Sequence, residues 1–228
     1  MEKLLAEEHF SVREALDVVR KIAGALEAVS EAGAVHRDVK PDNILFDAAG
    51  EPVLADLGVA KVENDASTVL TMSNVIVGTP AYMAPEHMLD SHNADCRADI
   101  YSLGIVLYEG LSGYRPFTGT APVDIAAAQV NDPIPDLPFD IPEELASYVM
   151  VMLEKNPAHR PRSALDVAND LDHILEDIKN KVIPRKVSSY PHPVKYYIHT
   201  DAMKAYKLME GILPSTGIPA GFEKESFR

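Results

Sequence analysis

The feature that most limits what this chain can fold into is a pair of polar strings on either side of a short apolar hairpin. Residues 44–46 and 53–55 are apolar runs separated by a turn holding Asp47 and Gly50, the composition of a tight antiparallel connection. Just before the first run stands His36-Arg37-Asp38-Val39-Lys40-Pro41-Asp42-Asn43, and just after the second stands Asp56-Leu57-Gly58. A hairpin returns its two ends to one place. Asn43 and Asp56 are therefore expected side by side, as hard oxygen donors suited to Mg2+, with Asp38 and Lys40 close to them.

Around this unit the periodicity is helical. Ala15, Leu16, Val19, Ile22, Ala23, Leu26 and Val29 recur at three-and-four spacing, Ser11 and Glu14 form a capping box, and Gly33 suits a left-handed stop, so a helix is expected over residues 11–32. Residues 59–77 are rich in Ser, Thr and Asn without a sustained period and are expected to form a long surface loop. Further helices are expected near residues 99–111, 123–130, 142–153 and 163–179. The stretch 100–111 is apolar almost all round and belongs inside a core, whereas the last helix should bury Leu165, Ala168, Leu171, Leu175 and Ile178 behind an N-cap at Ser163.

Charge divides the chain. Residues 183–228 hold 7 of its 21 basic and 4 of its 35 acidic residues, leaving 14 against 31 in residues 1–182, which places a boundary near residue 182 between a body and a tail rich in Pro, Tyr and Lys. An acidic body with a whole-chain charge of −14 argues against nucleic acid as a partner, because phosphate contacts need a basic face. Cys96 is the only cysteine, so no intrachain disulfide is expected, and no window approaches 18 apolar residues. The opening MEKLLAEEHF is acidic where a secretory signal starts basic. A soluble cytoplasmic protein without a membrane segment is expected. His87, His92 and Cys96 have spacings that a metal could tolerate but no fourth ligand at a recognisable offset, and they are read as scattered surface residues.

A carboxylate base, a cation and oxygen ligands for further cations are what phosphoryl transfer from a nucleotide asks of a protein, since its demands are positional and electrostatic. On these residues the chain resembles the eukaryotic-type (Hanks-type) serine/threonine protein kinases. HRDVKPDN is similar to their catalytic loop, which implies Asp38 as the base that orients the acceptor hydroxyl, Lys40 as the cation that neutralises the transferring phosphoryl group, and Asn43 as a magnesium ligand. Asp56-Leu57-Gly58 resembles the family's DFG motif, which implies Asp56 on the bridging magnesium, and Leu45 matches the apolar residue beneath the adenine ring. The implied cofactors are ATP and Mg2+, and the implied partner is a protein presenting a Ser or Thr acceptor.

Downstream, GTPAYMAPE resembles the end of a kinase activation segment, with Thr79 bonding to the catalytic Asp and Lys. Glu86 is implied as the partner of Arg160, Asp99 as the residue that holds the catalytic loop's backbone, and Arg37 as the docking point for a phosphate on the loop, with Thr71 and Ser73 as candidate phosphosites. The fold implied is mainly α (α+β), a kinase C-terminal lobe over residues 1–182 followed by a tail over 183–228. No glycine-rich loop or VAIK-like lysine string is found in the 228 residues. Three readings follow, in order of preference: a truncated kinase, a half-kinase completed by a separate N-lobe or partner chain, and a noncatalytic kinase-like module that binds or regulates. The order reflects that every phosphotransfer residue this lobe could carry is in place, although turnover by this chain alone is not expected.

Overall fold

The computed structural model describes residues 11–57, 80–89 and 94–180. Its first element, α1 (Val12–Glu31), begins at the expected capping box: Glu14 N–H donates to Ser11 Oγ at 3.3 Å and Ser11 N–H to Glu14 Oε2 at 2.7 Å. It ends where Gly33 turns to φ +75°, a left-handed position that costs a glycine little. The buried stripe of α1 is Ala15, Leu16, Val19, Ile22, Ala23 and Leu26. It packs on the last helix, α6 (Ala164–Asn180), and on the central helix, α3 (Cys96–Ser112).

Between α1 and the central helix lie strands β1 (Ile44–Phe46) and β2 (Pro52–Leu54), paired antiparallel with Leu45 opposite Val53, followed by the short helix α2 (Pro85–Leu89). The second strand starts one residue earlier than its apolar run suggests. Asp47 sets that register, because its Oδ1 accepts Ala49 N–H at 2.8 Å and Glu51 N–H at 2.9 Å while its own N–H donates to Glu51 O. The turn then closes at Glu51 and places Pro52, which has no N–H for the ladder, opposite Phe46.

The central helix starts at an Asp95 N-cap, stops at Gly113 (φ +82°), and is buried at every residue over 98–105, as its all-round apolar sequence requires. Helices α4 (Pro122–Asn131) and α5 (Glu143–Met152) complete the bundle. Helix α5 meets α3 at Gly104, where a Cβ would lie 3.0 Å from both Met152 Cβ and Leu153 Cδ2. The result is mainly helical with one two-stranded sheet. One expected face is rotated: α6 buries Ala164, Val167, Leu171 and Leu175, and Leu165 is half exposed. Ser163 caps that helix by accepting Asp166 N–H at 3.0 Å, which fixes its start and turns Ala164 inward.

Arg160 ties these helices together from a side chain with no exposure. Its five N–H donors all find acceptors: Nη1 donates to Glu86 Oε1 (2.6 Å) and Arg97 O (2.8 Å), Nη2 to Glu86 Oε2 (2.8 Å) and Lys155 O (3.1 Å), and Nε to Glu154 O (2.6 Å). The guanidinium also lies 4.8 Å above the Tyr101 ring. A shorter or apolar side chain cannot reach these groups, and three carbonyls and a carboxylate lose their donor. Arg160→Met is expected to lower stability by about 3–5 kcal/mol, and Glu86→Gln by less because Glu86 keeps 23% of its side chain in solvent. Denaturant unfolding checks both, and a loss below about 1 kcal/mol for Arg160→Met would contradict the assignment.

Candidate active site

The site is built on a loop that the central helix holds by its backbone. Asp99, in the first turn of α3 and 3% exposed, accepts His36 N–H at 2.7 Å and Arg37 N–H at 2.8 Å, one on each carboxylate oxygen. Arg37 sits at φ +66°, a left-handed conformation costing a non-glycine residue about 1–2 kcal/mol, and the two charge-assisted bonds offset that strain. His36 is buried, its Nε2 3.1 Å from Ala55 O, so the residue before the loop's bend is tied to the far end of the hairpin.

Past the bend, Asp38 is fixed from several sides. Lys40 Nζ lies 3.1 and 3.0 Å from its two carboxylate oxygens, and Asn43 Nδ2 donates to Asp38 O at 2.6 Å and Asp38 Oδ2 at 3.1 Å. Lys40 and Asp38 each keep 18% of the side chain exposed, so the pair is sheltered and yet open to a substrate. Asn43 ends a single 3-10 turn, Pro41–Asn43, and is 5% exposed. With both amide hydrogens directed at Asp38, its Oδ1 remains an acceptor available to a cation.

Ala55 N–H donates to Asn43 O at 2.8 Å, which closes the hairpin one residue short of Asp56 and brings Asp56 to the same end as Asn43. Asp56 is exposed and left-handed at φ +56°. Among the described residues no group of three or more His, Cys, Asp or Glu side chains could hold a metal by itself. That donor set fits Mg2+ bound together with phosphate, which takes one or two protein oxygens and completes its octahedron with water and phosphate oxygens. Leu45 is half-buried, and it shares its side of the hairpin with Val53, 46% exposed. Leu57 is also 46% exposed, so an apolar strip is left beside the polar loop.

Glu109 and Gln129 border the loop with no motif to announce them, whereas Tyr82 belongs to the GTPAYMAPE string. Tyr82 donates its hydroxyl to Glu109 Oε2 at 2.6 Å, and Arg115 lies 4.0 Å from Glu109. Burial holds the Glu109 carboxyl above the ordinary range, with Asp42 adding to the shift, and the Tyr82 hydroxyl is raised for the same reasons. Gln129 reaches the same region from α4. Of the residues singled out from the sequence, Gly58, Thr71, Ser73, Thr79 and His92 lie outside the described residues, as does the whole of 183–228. His87 is buried in α2 and not on the surface.

The sequence pattern of the protein kinase domain matches this chain over residues 1–211. The chain belongs to the protein kinase domain family. It is 43% identical over 153 residues to the serine/threonine-protein kinase PknA of Mycobacterium tuberculosis, a stretch that takes in 67% of this chain and 35% of PknA. To PknL of the same organism it is 39% identical over 164 residues, 71% of this chain and 40% of PknL. To a protein of Corynebacterium efficiens described as serine/threonine-protein kinases drp72 it is 40% identical over 146 residues, 64% of this chain and 28% of that relative. The chain thus spans well under half the length of these relatives. Among the described residues no helix is long and apolar enough to cross a membrane.

In this chain the loop rests on one buried acid, and that acid titrates unusually. Burial pushes the Asp99 carboxyl up to about 6, against the pull of the Arg37 and His36 N–H groups. An unfolded Asp releases its proton near about 3.9. Between about pH 4 and pH 6 the folded chain therefore holds a proton that the unfolded chain has lost, and the stability this group contributes declines as pH rises through that window and is level above it. Asp99→Asn does not titrate and leaves one loop N–H facing an amide donor. The stability difference between wild type and Asp99→Asn, measured by denaturant unfolding from pH 4.5 to 7, is expected to shrink with rising pH. A difference that stays flat or grows would show that Asp99 is ionised throughout.

Proposed function

We propose that this chain is the larger lobe of a serine/threonine protein kinase and, when completed by a small lobe, transfers the γ-phosphoryl group of ATP to Ser or Thr hydroxyls of protein substrates. The observation that supports it most directly is the fixation of Asp38 by Lys40 and Asn43, at one end of a hairpin whose other end delivers Asp56. Asp38 accepts the proton of the acceptor hydroxyl as the oxygen–phosphorus bond forms and the bond to the β-phosphate oxygen breaks, leaving ADP. Lys40, already within 3.1 Å of Asp38, sits where charge on the transferring group is met. Asn43 Oδ1 and the Asp56 carboxylate hold Mg2+, which supplies charge neutralisation for the phosphates. Leu45, Val53 and Leu57 form the apolar floor for the adenine and for a small lobe, contributed by the same polypeptide or by a partner chain.

Two finer readings belong to the same proposal. Asp42 lies close enough to Tyr82 and Glu109 to raise both, so the acceptor side is acidic and favours substrates with a basic residue near the acceptor. Arg37 Nε is buried with no hydrogen-bond partner among the described residues, which supports a phosphate on Thr71 or Ser73 as its counter-charge. Thr79 is assigned to the hydroxyl that steadies Asp38 and Lys40. The domain boundary is placed at residue 182, with 183–228 as a tail, and the site of action is the cytoplasm, where ATP is plentiful.

Mg·ATP-dependent transfer to a Ser- or Thr-containing protein is expected from the protein that carries this lobe, and Asp38→Asn is expected to reduce it by about 100-fold to 10,000-fold. Transfer that survives Asp38→Asn would overturn the assignment. Mass spectrometry of the active protein is expected to find phosphate on Thr71 or Ser73, and active protein unmodified at both would sink the regulatory part alone.

A further inference from the structure

Most buried polar side chains in this lobe serve the catalytic loop or the Arg160 pair, but Gln129 serves neither. It lies on α4 with no exposure and joins three elements. Tyr101 of α3 donates its hydroxyl to Gln129 Oε1, and Gln129 Nε2 donates to Ala81 O at 2.8 Å and to Pro80 O at 3.4 Å. The main-chain carbonyl of Gln129 accepts Lys155 Nζ at 2.6 Å, and that ammonium sits 4.1 Å above the Phe117 ring. The amide's orientation follows from the chemistry of its neighbours. The carbonyls of Pro80 and Ala81 can only accept, so the NH2 group must face them and Oε1 is left for a hydroxyl donor.

An apolar side chain of similar length would fill this space without the desolvation cost of an amide, so the polar choice needs a reason beyond packing. What the amide grips is the 3-10 turn Pro80–Tyr82. That turn borders the catalytic loop, since Tyr82 bonds Glu109 and both feel the charge of Asp42, four residues after Asp38. On the phosphotransfer reading, this places the turn beside the approach of an acceptor segment to Asp38. Lys155 and Tyr101 fix Gln129 from behind, one through its main chain and one through its side chain, so the turn is referenced to helices α3 and α4.

We infer that Gln129 is a positioning residue for the turn Pro80–Tyr82 and so sets where the substrate's acceptor segment lies relative to Asp38, an assignment that rests on the phosphotransfer reading. It acts through the turn and touches no reacting atom. Gln129→Met keeps the length and removes the bonds. Gln129→Glu, when ionised, turns an oxygen toward two carbonyl oxygens, and when protonated can again donate to Ala81 O.

In the intact protein, Gln129→Met is expected to raise KM for an acceptor peptide about tenfold, the equivalent of one lost orienting bond, with KM for ATP and kcat at saturating peptide within about twofold of wild type. For Gln129→Glu the acceptor KM should fall back toward wild type as pH is lowered, a recovery that Gln129→Met does not show. Hydrogen exchange gives a readout independent of activity. The Met83 amide, bonded to Pro80 O at 3.2 Å, is expected to exchange about tenfold faster in Gln129→Met while α3 amides keep their protection. Unchanged acceptor KM, an equal rise in both KM values, or Met83 exchange that stays unchanged or accelerates together with α3 would each overturn the inference. Should Asp38→Asn leave transfer intact, or wild type show none, the phosphotransfer reading fails by itself and the exchange experiment still decides whether Gln129 holds the turn.

Discussion

The rest of this lobe depends on one carboxylate. Asp99 takes the backbone N–H groups of His36 and Arg37, at 2.7 and 2.8 Å, from a position in the most deeply buried helix of the fold. Each bond to a charged acceptor contributes about 1.5–3 kcal/mol, enough to hold Arg37 in a left-handed conformation that its side chain disfavours. That bend turns the chain so that Asp38 is presented to Lys40 and Asn43. Had the loop been anchored to another loop, the geometry of Asp38 would inherit that loop's motion. Anchored to α3, it inherits the rigidity of the core.

Tyr101 extends the same logic across the helix. Its ring lies under the Arg160 guanidinium, and its hydroxyl orients Gln129. One turn of α3 therefore carries Asp99, which holds the catalytic loop, and Tyr101, which joins the Arg160–Glu86 pair to the Pro80–Tyr82 turn. These polar groups are costly to bury, and apolar replacements could match their packing. They differ from apolar contacts in being directional. A hydrophobic core fixes which residues are inside, whereas hydrogen bonds of defined donors and acceptors fix the relative height of the loop at Asp38 and the turn at Pro80–Tyr82.

Legibility from the sequence follows the range of each interaction. The capping box of α1, the all-round apolar central helix and the hairpin between the two polar strings rest on neighbours within a few residues, and they are found where their patterns place them. The small departures are local competitions. Asp47 captures two turn amides and shifts β2 by one residue, and the Ser163 cap rotates α6 so that Ala164 and Val167 face inward where Leu165 had the stronger apolar claim. The short helix α2 has five residues, too few to show a period. Gln129 and Glu109 were illegible for a different reason. Each is an ordinary helical polar residue in sequence, and its importance comes from partners 27 to 49 positions away. No spacing rule encodes such a partner.

The two non-glycine residues with positive φ among those described, Arg37 and Asp56, bracket the hairpin, and each lies at or beside a carboxylate of the site. Strain of this kind persists only where surroundings over-determine it. At Arg37 the surroundings are visible: Asp99 on the backbone and His36 bonded across to Ala55. At Asp56 they are sparser, an exposed side chain one residue past the Ala55–Asn43 bond. The two ends of the hairpin are thus unequally determined by this lobe. Asp38 is set by the core, whereas Asp56 is held by few contacts, beside the apolar strip of Leu45, Val53 and Leu57. In energetic terms the core spends its buried hydrogen bonds on the Asp38 end of the hairpin and leaves the Asp56 end loosely held.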